Sequence, residues 1–142
     1  MEPHQRPLGE AMVEDHDRIE ALLDRILLDE AAGESSRRAE LWRECVALIR
    51  GHLEIEDMFL LPAFELAEPE IGRGLRADHV RIRLLCGHIG DAIELQTQRD
   101  SSIMTLSRLL RGHHRREAMA MQQWARGMSV GDGPAGSSKD QP

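Results

Sequence analysis

The sequence predicts an all-α domain built as an up-down-up-down four-helix bundle, and three observations support this fold class. Hydrophobic residues make up 41% of the 142 residues, but aromatic residues make up only 3% and tyrosine is absent. The residue types that favour strands are therefore scarce, whereas strong helix formers are abundant. Four segments of roughly 25 residues carry apolar side chains at helical spacing. Short polar linkers join these segments, as antiparallel neighbours in a bundle require.

Capping and breaking residues bound the first two predicted helices. The first helix runs from about Leu8 to Ala32 and is followed by Gly33, a residue type that commonly ends helices. The second runs from about Arg37 to Ala67. Pro62 lies inside it and predicts a kink or a break, because proline removes one backbone hydrogen bond. Pro69 then suits the first position of the next helix.

The third helix is predicted from about Glu70 to Gln98, and the fourth from about Ser102 to Gly127. Glycines weaken the first turns of the third helix, so we expect its regular part to begin near Arg76. These helices form one domain, residues 1–128. The last stretch, SVGDGPAGSSKDQP at 129–142, is rich in Gly, Ser and Pro and predicts a disordered tail.

Composition also excludes several classes of function. The net charge of −7 disfavours a nucleic acid partner. No apolar run reaches the roughly 20 residues needed to cross a bilayer, and the N-terminus has no apolar signal-peptide region. Cys45 and Cys86 lack CxxC spacing and are predicted to be buried free thiols. We therefore expect a cytoplasmic protein without nucleic acid or membrane partners, and the sequence leaves open whether it is a monomer or a homodimer.

Two helices carry a histidine followed by a glutamate four residues later. His52 and Glu56 form the first such pair, and His113 and Glu117 form the second. Residues four apart on a helix project side by side, so each pair offers one imidazole and one carboxylate at the same place. A single pair of this kind is common on helix surfaces, and its repetition on an apolar stripe is what makes it informative.

The other two helices each place one histidine on their apolar stripe, His16 on the first and His79 on the third. Counting residues from the linkers at 1.5 Å per residue puts the four histidines and two glutamates in one layer of the bundle. Such groups cost several kcal/mol each when buried without partners. Imidazoles and carboxylates without thiolates suit a pair of iron, manganese or zinc ions. The predicted metal ligands are His16, His52, Glu56, His79, His113 and Glu117.

Three further histidines do not fit this layer. A single histidine on an apolar face is more often a satisfied core residue than a ligand, so the position of each histidine decides its interpretation. His4 precedes the first helix, His88 lies on the opposite face from His79, and His114 lies one position round from its stripe. We predict surface or boundary positions for all three.

Four stretches carry a resemblance to the hemerythrin-like, or HHE, domain family, which covers residues from about 10 to 127. They are EDHDRI, HLEIEDMFLLP, DHVRIR and HHRREAM. The resemblance implies a four-helix bundle with two non-haem iron ions joined by an oxo or hydroxo bridge, with zinc or manganese as other candidates. It implies terminal ligation by the histidines and bridging by the glutamates, with no catalytic residue beyond the metal centre. The implied terminal ligands are His16, His52, His79 and His113, and the implied bridges are Glu56 and Glu117.

The sequence departs from the family pattern at two positions. Arg83 stands where oxygen carriers of the family have a fifth histidine, and Ala118 stands where many members have a second acid. The pattern is most similar to a subgroup linked to peroxide breakdown. With six-coordinate irons, the implied ligands leave about one open position per iron, which favours peroxide or nitric oxide chemistry over oxygen carriage.

Helical neighbourhood also predicts residues around the metals. The predicted walls of the pocket are Met12, Phe59, Met119 and Ala120. Acidic residues near the ligands could orient the imidazoles, although each could equally be a solvated surface acid. These acids are Glu14, Asp15, Asp57 and Asp78.

Three functions stay open at this point. The first is a di-iron protein that disposes of peroxide or nitric oxide. The second is a non-catalytic protein that binds or senses oxygen or iron. The third is a zinc-bound or metal-free helical interaction bundle, in which the polar layer only sets structural specificity.

Overall fold

The structure is a computed structural model that describes the backbone of residues 8–32, 35–95 and 100–138, and the side chains of 12–28, 37–95 and 101–124. Within these ranges every element is helical and there is no strand. The elements are α1 (Leu8–Ala32), α2 (Ser35–Ile55), a π-helical segment (Glu56–Leu60), α3 (Leu61–Ala67), α4 (Pro69–Glu94) and α5 (Asp100–Ser138).

The helices pack as a four-helix bundle, because α2, the π segment and α3 follow one another without a gap. α1 packs against α2 and α5, and α4 packs against α2, α3 and α5. The predicted all-α bundle is confirmed. No helix in the described part of the chain combines the length and apolarity needed to cross a bilayer.

The joint between α3 and α4 is a single residue, Glu68, which leaves the helical region with φ −139° and ψ 79°. Pro69 begins α4 as predicted, since a first helical residue needs no N–H donor. The expectation that the regular helix starts only near Arg76 is wrong. Gly72 belongs to α4 and lets it approach α3, because a Cβ there would lie 2.9 Å from the Glu65 backbone.

The chain stays helical through Pro62, which is preceded by a π-helical turn. The Leu61 N–H donates to the carbonyl oxygen of Glu56, five residues back. Proline has no N–H for the carbonyl four residues before it, and a wider turn accommodates that loss. The extra residue shifts the buried face, so Leu60 and Phe64 are buried while Phe59 is 65% exposed.

Two apolar clusters fill the bundle, with polar side chains between them. We call the larger one the main core and the smaller one the end core. The main core contains Ile19, Leu22, Leu23, Ile26, Leu41, Trp42, Cys45, Ile49, Leu53, Ile82, Cys86, Ile89, Ile103, Leu106 and Leu110. The end core contains Met12, Leu60, Leu61, Phe64, Leu75 and Ala120. Each rod of the bundle passes from one core to the other.

The helix ends differ from their predicted positions by a few residues at most of the boundaries. The largest difference is at α5, which continues to Ser138 and so passes the predicted end near Gly127. Residues 139–142 lie outside the described part of the chain. The predicted division into a domain of residues 1–128 and a tail of 129–142 stays a prediction.

Candidate metal centre

A layer of buried polar side chains separates the main core from the end core. All six predicted ligands lie in it, and His16 is the most exposed, with 13% of its side chain accessible. Helical spacing explains the layer, because each single histidine and each His-x-x-x-Glu pair has a core residue one turn before it and another one turn after it. The six residues are His16, His52, Glu56, His79, His113 and Glu117.

The first half of the layer joins α1 to α2. The Nε2 atoms of His16 and His52 lie 2.9 Å apart. The Oε1 atom of Glu56 lies in close contact with His52 Nε2 and 3.9 Å from His16 Nε2. The Oε1 atom of Glu117 lies 3.6 Å from His16 Nε2. Two imidazoles and two carboxylates therefore converge on one point.

The second half of the layer repeats this arrangement between α4 and α5. The Nε2 atoms of His79 and His113 lie 3.1 Å apart. The Oε2 atom of Glu56 lies 2.8 Å from His79 Nε2 and 3.5 Å from His113 Nε2. The Oε2 atom of Glu117 lies 3.1 Å from His113 Nε2.

Glu56 and Glu117 belong to both halves, and each directs one oxygen to each pair of histidines. In each half, the donor atoms of the two histidines and two glutamates all lie within 4.8 Å of one another. The six residues therefore provide two adjacent groups of donor atoms, each of which could hold a cation, and the two carboxylates belong to both groups.

Three of the ligand imidazoles donate their Nδ1–H to aspartates. His52 donates to Asp15 at 3.2 Å, His79 to Asp57 at 2.7 Å, and His113 to Asp78 at 3.0 Å. An imidazole that donates through Nδ1 presents the lone pair of Nε2 to the layer, which is the form that binds a metal.

Two of these aspartates are bound in turn by arginines. Arg83 donates to Asp57, and Arg116 donates to Asp78 at 2.7 Å. Burial raises the pKa of both carboxyl groups, but the arginine and histidine partners outweigh it and lower the pKa values below the usual range. Both aspartates therefore stay charged. Neither arginine was predicted from sequence as part of the site.

The layer is strained electrostatically when it holds no cation. Burial and the neighbouring Glu56 carboxylate raise the pKa of Glu117. Burial also raises the pKa of Glu56, but the four imidazoles close to its oxygens outweigh this effect and hold the pKa well below its usual range. Glu56 Oε1 and both Glu117 oxygens are buried without a hydrogen bond from the described residues. Bound cations would satisfy these orphaned oxygens.

The protons of the layer support the same conclusion. Burial lowers the pKa of His113, but the nearby carboxylates of Glu117, Glu56 and Asp78 outweigh this effect and raise the pKa to about 10. Because His79 and His113 both use their Nδ1–H on aspartates, the contact between their Nε2 atoms requires an additional proton on one ring. The layer thus takes up positive charge where metal ions would lie, and the residues fit a metal pair.

Several neighbouring residues lie elsewhere than predicted. Met12 and Ala120 are buried in the end core beside the layer. The prediction that Phe59 lines the pocket is wrong, because the π segment turns its side chain to solvent. The same prediction for Met119 is also wrong. Its side chain is 61% exposed and lines a surface cavity of about 490 Å³ between α4 and α5. Glu14 is exposed on α1.

Among the three histidines set aside from sequence, His114 is the exception. His88 is exposed as predicted, and His4 lies outside the described residues. His114 is only 7% exposed, so of the two predicted positions, surface or boundary, the surface one is wrong, and its ring stacks on His16 with centroids 3.5 Å apart. Burial and the surrounding histidines lower its pKa to about 2, which keeps the ring neutral. An alignment of the two helices that carry HxxxE indicates that His114 is buried, because its counterpart Leu53 is an apolar residue of the main core.

Comparison with protein families identifies the class of this bundle. The family model for the hemerythrin HHE cation-binding domain matches residues 8–125. The chain therefore belongs to the hemerythrin HHE cation-binding domain family, and the predicted resemblance is confirmed. Comparisons with curated proteins and with solved structures give no significant match.

Proposed function

We propose that the polar layer binds two non-haem iron ions and that the protein uses them to react with peroxide or nitric oxide. The observation that carries this proposal is the position of Glu56 and Glu117, whose oxygens face both pairs of histidines. Imidazole and carboxylate donors without thiolate favour iron over softer metals. The iron pair, when bound, would supply redox chemistry and open positions for a small molecule.

The chain itself positions and insulates the centre. The aspartates on the Nδ1 atoms fix the tautomer and orientation of their imidazoles, which raises the basicity of the metal-binding nitrogens. The main core and the end core exclude water from both sides of the layer. A cavity of about 430 Å³ between α1 and α5 reaches His16, and its lining supports entry of a small molecule there.

Other features agree with a role in oxidative stress inside the cell. Cys45 and Cys86 are free and buried, which fits the cytoplasmic location proposed for this protein. Burial raises the pKa of each thiol to about 12, so neither is a reactive thiolate at neutral pH. Chemistry on peroxide or nitric oxide therefore falls to the metal layer. We propose a small-molecule substrate and no nucleic acid or membrane partner.

The test starts with elemental analysis of protein purified from iron-replete cells. About two iron ions per chain are expected from the two donor groups. His79→Ala should lose iron, whereas His88→Ala, on the exposed face of the same helix, should retain it. The loaded protein should then release oxygen from peroxide or consume nitric oxide faster than His79→Ala does.

Two other outcomes would change the assignment. A reversible oxygen spectrum without turnover would favour the oxygen-binding alternative, and iron retention without either reaction would favour storage or sensing. A folded protein that contains only zinc, or no metal, would contradict every redox role and leave a helical interaction bundle.

A further inference from the structure

His114 has the arrangement of a ligand although it lies outside the six-residue set. Its Nδ1 lies 3.3 Å from Glu20 Oε1, as the ligand imidazoles lie against aspartates. Its Nε2 is buried and receives or makes no hydrogen bond among the described residues. A buried imidazole nitrogen without a partner is costly, so its retention calls for a partner that the protein itself does not supply.

The ring of His114 lies against the first half of the layer. It is nearly parallel to the His16 ring, with 7° between the planes. Its centroid lies 6.2 Å from that of His52 and 6.0 Å from that of His113. Imidazoles in adjacent positions on one metal keep their nitrogens roughly 3 Å apart, given metal–nitrogen bonds of about 2.1 Å. The stacked His114 ring is therefore near enough to reach the same metal ion as His16, but it has to rotate out of the parallel stack so that both lone pairs point at that ion.

The two halves of the bundle show that this histidine is not required by packing. His52 and Glu56 match His113 and Glu117, so the residue after each histidine is also matched. In α2 this residue is Leu53, which is 1% exposed in the main core. In α5 it is His114. A leucine fills the position in one half, and an imidazole replaces it only beside His16.

The same comparison explains how the ring could move. Asp57 follows Glu56 and contacts His79, whereas its counterpart after Glu117 is Ala118. The small alanine side chain borders the 430 Å³ cavity, which His16 and His114 also line. The first half of the layer therefore has free space next to the stacked rings.

We propose that His114 is a fifth imidazole ligand, which binds through Nε2 the metal ion shared with His16 and His52. Glu20 then accepts the Nδ1–H of His114, as Asp15 does for His52. This inference rests on the proposed metal centre.

The test uses the cobalt(II)-loaded protein and proton NMR in water. Each ligating imidazole contributes one strongly shifted N–H resonance that disappears in deuterium oxide. His114→Leu copies Leu53 of the other half and should lose one such resonance. It should also weaken the binding of one cobalt ion at least about tenfold in competition with a chelator. His88→Leu is the matched control and should keep every resonance.

A second variant separates ligation from folding. His114→Gln keeps a polar group near Glu20 and should lose the same resonance as His114→Leu. If both variants show the wild-type number of resonances and wild-type affinity, His114 is not a ligand, while the six-residue centre stands. If the wild-type protein binds no cobalt and shows no shifted resonance, the metal centre and this inference both fail.

Discussion

The two halves of the polar layer contain the same ligand types but support them differently. In the second half, His79 and His113 each donate to an aspartate, and Arg83 and Arg116 bind those aspartates. Imidazole, carboxylate and guanidinium form continuous chains from the layer to the surface. The positions of both rings are therefore fixed before any metal binds.

In the first half, His16 and His52 have no such chain among the residues that the structure describes. Asp15 contacts His52 at 3.2 Å with a third of its side chain exposed, and Ile55 occupies the place that Arg116 has in the other half. His16 is covered by the ring of His114 and borders a cavity. We infer that the second half is the preorganised site and binds its metal more tightly, whereas the first half can adjust.

The largest effect is expected from a change that both halves share. Glu56→Gln removes a charge that faces all four imidazoles, so both metal ions should be lost, not one. Elemental analysis after iron loading should show little iron in Glu56→Gln. Glu54→Gln, on the exposed face of α2, is the control and should bind as the wild type does. Loss of only half of the iron would contradict the bridging role.

The aspartates test the difference between the halves. Asp78→Asn should weaken metal binding at the second half by about 10- to 100-fold, because a buried, arginine-bound carboxylate is lost. Asp15→Asn should have a smaller effect, since Asp15 is partly exposed. Competition with a chromophoric chelator measures both affinities. Equal losses would show that the two halves are supported equally.

The close contact between α3 and α4 at Gly72 positions α4, which carries His79 of the second half, relative to the π segment, which carries Glu56. Gly72→Ala should lower the free energy of unfolding by about 1–3 kcal/mol, because its Cβ meets the Glu65 backbone. Gly74→Ala, two residues later, meets no atom within 4 Å. It should raise stability by about 0.5–1 kcal/mol through helix propensity. Urea unfolding of both variants checks the pair, and equal effects would contradict the close crossing.

The main core contains two thiols whose counterparts in the matched helices are leucines. Cys45 of α2 matches Leu106 of α5, and Cys86 of α4 matches Leu23 of α1. Burial, the main cause, raises each thiol pKa to about 12, against about 8.5 in unfolded chains. Folded thiols thus keep protons that unfolded thiols release. The free energy of unfolding should fall between about pH 8.5 and 12.

A double variant isolates this effect. Cys45→Ala with Cys86→Ala should be less stable at neutral pH but should lose much of the fall in alkali. Tyrosine is absent and Lys139 is the only lysine, so His113 is the main other group that titrates there in both the variant and the wild type. Chemical unfolding at a series of pH values provides the measurement. An unchanged slope would mean that the thiols are not protected.

The smallest effect is expected from giving the first half its missing acid. Ala118→Asp copies Asp57 and places a carboxylate at the cavity beside His16. It should tighten metal binding at the first half by no more than about tenfold, since it only orients a ring already in place. Cobalt titration would show this change. Weaker binding would mean that the cavity has to remain open.

The sequence predicts the polar layer because the pattern that indicates it is local. Histidine and glutamate four apart on an apolar stripe, repeated on two helices, determine both the face and the depth. The aspartates Asp15, Asp57 and Asp78 adjoin ligands along the chain, so they were also within reach. The six side chains cluster in the structure, and their role as metal ligands stays a prediction.

The errors arise where tertiary structure overrides an even helical period. The π segment before Pro62 adds one residue to a turn, and this exposes Phe59 although the periodicity predicts burial. His114 lies one position from the stripe, and only the close packing of α1 against α5 shows that the buried face is wide enough to include it. The arginines on Asp57 and Asp78 depend on contacts between helices, which sequence spacing alone does not reveal.

The central claim is that Glu56 and Glu117 bridge two metal ions in one layer. Low-temperature electron paramagnetic resonance of the iron-loaded protein tests it most directly. We predict a silent diferric state, followed by the signal of a coupled mixed-valence pair after partial reduction. Signals of isolated high-spin ferric ions that account for all of the bound iron would contradict the claim.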